Sequence, residues 1–249
     1  MIKLFTASLL SIFILLSPSI AVASSIISGI STNEINIDTK FNGAEILLFG
    51  AKDDFGNIVI AVRGPKKNFL VTRKEKLFGI WHNGKWVKMK ESYSYYSFFS
   101  TARDTGTSEQ LMSELELGKN NIDFNSSADV NPEDKNEFQI QLVDHFEKEK
   151  LYLNNSHGVD FLDETLFKVM LKFPKNIARG LYSVEIYLIN DNNLSSFQTI
   201  PIYVNQVGLS ARVLDFAYQQ SFLYGLLSIA LALVVGWLAN YLFVRFIGK

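Results

Sequence analysis

A mainly β body followed by one C-terminal membrane-spanning helix is the fold that this 249-residue sequence predicts. Three observations predict it. Short apolar runs of strand length recur between Gly, Pro, Asn and Asp punctuation. Two stretches in the middle of the chain carry helical spacing instead. Near the end, residues 222–244 form an uncharged stretch of about 23 residues, enough to cross a hydrocarbon core roughly 30 Å thick.

Composition narrows the class of protein. Twenty Phe and ten Tyr supply large apolar faces for a folded core. The 24 basic and 25 acidic residues nearly balance, which excludes a strongly basic nucleic-acid binder and a disordered acidic chain. No nucleic-acid partner is expected. The absence of Cys removes disulfides, thiolate metal sites and thiol nucleophiles together.

Taken in order, residues 1–23 read as a secretory signal. Lys3 gives the positive start, 4–16 the apolar core, and Ala21-Val22-Ala23 the small-x-small cleavage site. The apolar core is about 13 residues, short of the roughly 20 a span requires, so cleavage before Ser24 is expected. Residues 24–103 form the β-rich first part of the extracytoplasmic domain. Here 27–38 alternates weakly, and 44–49, 57–63, 68–72, 77–81 and 85–90 are strand-length apolar runs. Turn material at Asn42-Gly43, 53–57, Gly64-Pro65 and Asn83-Gly84 separates them. Asn83-Gly84, between two Trp-bearing runs, is the strongest predicted hairpin turn, because a type I′ turn needs positive φ at both central residues.

Residues 104–155 read as a helical insertion, with helices over 108–117 and 132–152. In the second, Pro132 stands just inside the start, and Phe138, Leu142, Val143 and Phe146 share one face. A β-rich second part, 156–207, returns to strands at 158–162, 165–173, 180–189 and 194–204, with a turn at Asp191-Asn192-Asn193. Strands on both sides of a helical segment predict an immunoglobulin-like β-sandwich, one or two, interrupted by that segment. Residues 208–221 are a juxtamembrane segment, 222–244 the membrane helix and 245–249 a tail. Tyr218, Phe222 and Tyr224 mark one interface and Trp237, Tyr241 and Phe246 the other. Arg245 and Lys249 place the tail on the cytoplasmic side, and the signal independently places the body outside.

Charge is unevenly shared. From 63 to 90 there are nine basic residues and one acidic, Glu75, whereas from 104 to 149 twelve are acidic and three basic. Such blocks attract one another across a fold, and a basic hairpin region on a tethered domain also suits anionic headgroups or a partner.

Candidate sites are few. No metalloprotease, nucleophile-elbow, phosphate-loop or dinucleotide pattern is present. No catalytic, cofactor-binding or metal-ligating residues are predicted, and no cofactor. His82, His145 and His157 are scattered, although Gln141, His145 and Glu149 share a helical face. Tyr93, Tyr95, Tyr96, Phe98 and Phe99 form a candidate aromatic contact patch, which burial between a sheet and the helical insertion would equally explain. Ser228, Ala232, Gly236 and Asn240 recur every four residues on the membrane helix. Small residues let a second helix approach, so this stripe is the candidate helix–helix interface.

Several pieces together resemble a family of predicted alphaproteobacterial transmembrane proteins of unknown function. They are residues 45–51 (EILLFGA), Val62-Arg63-Gly64-Pro65, Gly79-Ile80-Trp81, Tyr95-Tyr96, Leu166-Phe167, Phe173-Pro174, 180–185 (GLYSVE), Leu223-Tyr224-Gly225-Leu226 and Gly236-Trp237-Leu238-Ala239. His82 departs from the apolar residue expected after the Trp. The resemblance implies a bacterial inner-membrane protein, single-pass, with its N-terminal domain periplasmic and its C-terminus cytoplasmic. Such proteins are often encoded beside sulfite-exporter-like permeases, which implies an accessory role in transport. Partners expected are the lipid bilayer and another membrane protein, or a second copy through the membrane helix. A noncatalytic binding or accessory module is the leading expectation. A periplasmic sensor or adaptor for envelope stress or a small ligand stands second, and a motif-less envelope enzyme last.

Overall fold

The computed structural model describes residues 25–53, 55–101, 107–126, 131–156 and 158–246. The predicted signal segment, His157 and Lys249 lie outside them. In chain order the elements are β1 (Ile26–Ile30), β2 (Glu34–Ile37), β3 (Ala44–Lys52), β4 (Asn57–Arg63), β5 (Lys66–Leu77), β6 (Ile80–Tyr93), β7 (Tyr96–Ser100), α1 (Glu109–Glu114), β8 (Asn125–Ser126), α2 (Pro132–Lys148), β9 (Tyr152–Ser156), β10 (Asp160–Phe161), β11 (Leu166–Phe173), β12 (Gly180–Asn190), β13 (Asn193–Gln206), α3 (Leu209–Gln219) and α4 (Ser221–Phe246). The body is mainly β, with one long apolar helix after it.

The strands form three sheets: β1-β3-β11-β10, β2-β13-β12-β4-β7-β9 and β5-β6-β8. Pairing is antiparallel except between β2 and β13 and between β7 and β9. The first two sheets share a core. Ile46 and Leu48 of β3 and Phe167, Val169 and Leu171 of β11 meet Ile58, Ile60 and Val62 of β4 and Val184, Ile186 and Leu188 of β12. Hydrogen bonds also tie the sheets at one end, where Ser28 N and Oγ donate to Gln198 Oε1 and Gln198 Nε2 donates to the Ser28 carbonyl.

The alternate residues of the same central strands feed a second core. Val59 and Ala61 of β4, Phe98 of β7 and Tyr187 and Ile189 of β12 pack against Phe138, Leu142 and Phe146 of α2 and Val87 and Met89 of β6. This explains why 57–63 reads as an unbroken apolar run. Both faces of β4 are covered, so both parities of the strand must be apolar. Each fully buried aliphatic side chain of this kind stabilises the fold by about 1.5–3 kcal/mol. At Gly50 a Cβ would lie 2.6 Å from the Phe167 ring and 2.8 Å from the Ile27 carbonyl oxygen, so only glycine lets the strands close there.

Two local expectations need correction. The hairpin turn is Phe78-Gly79, with φ of +48° and +85°, and Asn83-Gly84 lies inside β6. The register that wins pairs Val71 with Val87 and Phe69 with Met89, which puts both pairs on the core side. Asn83 then pairs Lys74 and Trp86 pairs Thr72, so Gly84 and Lys85 together oppose Arg73 as a bulge. Residues 77–81 therefore cross the turn instead of forming a strand of their own. In the insertion, α2 ends at Lys148, Lys150 adopts φ +58°, and Tyr152 opens β9 on the edge of the second sheet. Pro132 does occupy the first helical turn, and Val143 is half-buried beside the three buried members of its face.

Past β13, α3 leads to α4 through Gln220, whose backbone leaves the helical region. Phe216 and Tyr224 meet edge to face at 6.1 Å across that break. At about 1.5 Å per residue, α4 is on the order of 39 Å long, sufficient to span. None of its span is buried against the body.

Candidate functional site

The aromatic segment after β6 divides between the two cores. Tyr95 and Phe99 point into the core between the sheets, where Tyr95 stacks on Phe173 at 5.2 Å and its hydroxyl donates to the Lys172 carbonyl at 2.8 Å. Tyr96 and Phe98 face the other core, under α2. Only Tyr93 is partly open. The patch therefore serves folding rather than an external contact.

Around Tyr93 and Tyr96 runs a polar network that no motif announced. Arg63, 8 % exposed at the end of β4, pairs with Glu185 of β12 and donates to the Leu115 carbonyl at 2.6 Å. Tyr93 donates to the Glu116 carboxylate at 2.7 Å, and Tyr96 donates to the Glu116 carbonyl at 2.9 Å while accepting from Gly118 N at 2.8 Å. Tyr152 closes the ring by donating to the Tyr93 carbonyl at 2.8 Å. Burial, aided by the Glu116 hydrogen bond, pushes the Tyr93 phenol up to about 12. Burial raises Tyr95, Tyr96, Tyr152, Tyr182 and Tyr187 as well. These phenols are neutral donors at ordinary pH, and the network staples the 115–118 turn to the second sheet. The visible hint was an Arg standing directly after five apolar residues, Ile58 to Val62.

The open surface lies elsewhere. The outer face of the first sheet carries a shallow apolar depression of about 450 Å³, lined among others by Ile27, Phe49, Ala51, Leu162 and Leu166. Ile27 and Leu162 are 74 and 64 % exposed. Register places Ala51 between Ile27 and Leu166, so three strands contribute side by side. The signal for it was present in β3, where Ile46-Leu47-Leu48-Phe49 is apolar in both parities although only Ile46 and Leu48 reach the core.

On α4, Ser228, Ala232, Gly236 and Asn240 are all exposed. The Ser228 hydroxyl donates to the Tyr224 carbonyl within the helix at 2.8 Å, and a Cβ at Gly236 would meet no atom within 4 Å. Toward the end, Trp237 stacks on Tyr241 at 5.9 Å, and Arg245 donates to the Tyr241 hydroxyl at 2.7 Å. His82 stands across the hairpin from Glu75, and His145 sits on the exposed side of α2. Among the described residues no group of three His, Asp or Glu is placed to hold a metal ion.

The chain matches the family described as "Putative transmembrane protein (Alph_Pro_TM)" over residues 25–245. No curated protein and no solved structure matches it. The match runs through all three sheets, the helical insertion and the terminal apolar helix. The chain is therefore a member of this family of transmembrane proteins of unknown function, a β body joined to one helix able to cross a bilayer.

Proposed function

We propose that the protein is a noncatalytic binding or accessory module of the bacterial inner membrane. In this reading α4 crosses the bilayer with its C-terminus cytoplasmic. The β body stands in the periplasm as one immunoglobulin-like sandwich with a helical insertion. Its partner is a multispanning membrane protein of the sulfite-exporter-like kind, met by α4 within the bilayer and by the body outside it. The observation that carries the reading is the apolar outer face of the first sheet, three strands wide, on a body joined to a membrane helix whose apolar span is unburied among the described residues. The small-residue stripe of α4 supplies a compatible surface for a second helix. The resemblance supplies the class of partner.

Photocrosslinkers placed at Phe49 and at Ala232 of the full chain in native membranes test it. Both positions should capture the same multispanning protein, and Ala232→Ile with Gly236→Ile should abolish its co-purification. The Gly236 change adds bulk where the protein itself has open space, so loss of assembly would not reflect misfolding. Adducts only with lipid or with a second copy of the chain would replace the proposal.

A further inference from the structure

The β5–β6 hairpin ends in a highly exposed apolar cluster. Leu77, Phe78, Ile80 and Trp81 are 57, 97, 73 and 66 % exposed. Their turn has positive φ at both central residues, where Asn or Gly is the ordinary first residue. A Phe ring held in the left-handed region is strained, yet Phe78 packs on almost nothing. The core-side register imposes this backbone on residue 78, but it does not require an exposed Phe there.

The surroundings of the tip are cationic. Residues 66–93 contain eight Lys or Arg against two Glu. Some of that charge is spent internally: Arg73 pairs with Glu137 and Asp134, Lys85 reaches Asp134 at 3.4 Å, Lys74 donates to Asn83, and Glu75 faces His82. Lys67, Lys76, Lys88 and Lys90 remain outward; Lys76 stands at the tip, 5.8 Å over the Trp81 ring, and the other three lie farther down the ribbon toward its base. Leu70 and Trp86, 65 and 62 % exposed, continue the apolar strip along the same outer side as Lys88. An apolar, Trp-bearing end with Lys76 beside it, on a ribbon that carries further outward lysines, matches the chemistry of a bilayer interface with anionic headgroups.

We propose that the tip of this hairpin inserts among the anionic headgroups of the bilayer that holds α4. The tether makes this contact intramolecular, with an effective concentration on the order of millimolar, so a weak surface affinity suffices. Each lysine at an anionic surface multiplies partitioning by roughly fivefold.

The full chain carrying Trp86→Phe and Trp237→Phe, with Trp81 as its one remaining tryptophan, is placed in nanodiscs of phosphatidylcholine alone or with phosphatidylglycerol. Trp81 emission should shift to the blue and be quenched by brominated acyl chains in the anionic discs, and added salt should weaken the effect. Reversal of Lys76, Lys88 and Lys90 to Glu should cut the bound fraction ratio at least about tenfold. Phe78→Asn separates contact from folding: it relieves the turn, so thermal stability should hold or rise while quenching falls. Trp81 remaining open to an aqueous quencher in anionic discs would overturn the proposal, as would equal quenching in both discs or capture of the tip by a protein with no lipid contact.

Discussion

Two aromatic-rich segments, less than 20 residues apart, meet opposite fates. In 93–99, Tyr95, Tyr96, Phe98 and Phe99 are all buried, whereas in 77–81, Leu77, Phe78, Ile80 and Trp81 are all exposed. Composition does not separate them. What does is coverage: Tyr96–Ser100 is an inner strand, flanked by β4 and β9 and with layers over both faces, and 77–81 is the far end of a two-stranded ribbon beyond the reach of α2. An aromatic segment is a contact surface only where topology leaves it uncovered.

The largest way to break this contrast is to delete a ring on each side. Tyr95→Ala should cost about 4 kcal/mol, from the cavity and the lost hydrogen bond, in urea unfolding of the full chain in nanodiscs. Phe78→Ala should cost none. Next in size is Arg63→Ala, at about 3 kcal/mol, because it leaves the partly buried Glu185 carboxylate without its cation. Replacing both residues with apolar ones of similar size should cost less than the single change, the mark of a coupled pair.

A pH titration probes the same network more gently. The folded state holds the buried phenol protons more tightly than the unfolded chain does, whose tyrosines titrate near 10. The stability they contribute is complete below about pH 10 and is lost as pH rises through the raised folded values. The thermal unfolding temperature should thus fall progressively above about pH 10, and Tyr93→Phe should flatten the part of the decline up to about 12. The smallest effect is expected at the tip, where Phe78→Asn should raise stability by about 1 kcal/mol through relief of the left-handed strain.

Much of this architecture was legible in the residues. The run 57–63, the Asp191-Asn192 turn with positive φ at both residues, Pro132 at the start of α2 and the uncharged terminal stretch all did locally what their chemistry favours. The misplaced hairpin turn shows where local chemistry stops deciding. Asn83-Gly84 is the better turn by itself, but burying Phe69, Val71, Val87 and Met89 together outweighs it, and the strained Phe78-Gly79 turn follows. The division of the Tyr93–Phe99 rings between two cores and the Arg63–Glu185 pair depend on strands far apart in the chain, so no spacing rule reveals them. The apolar outer face of the first sheet was written in β3 alone, in a run whose two parities both stayed apolar.

Hydroxyl-radical footprinting of the full chain, with lipid as the variable, tests the inside-versus-outside contrast most directly. In zwitterionic nanodiscs Phe78 and Trp81 should be labelled strongly, and Tyr95, Tyr96, Phe98 and Phe99 should be protected. In anionic discs labelling of Phe78 and Trp81 should drop while the other four do not change. Labelling of the 93–99 rings at the level of Phe78 would contradict the account.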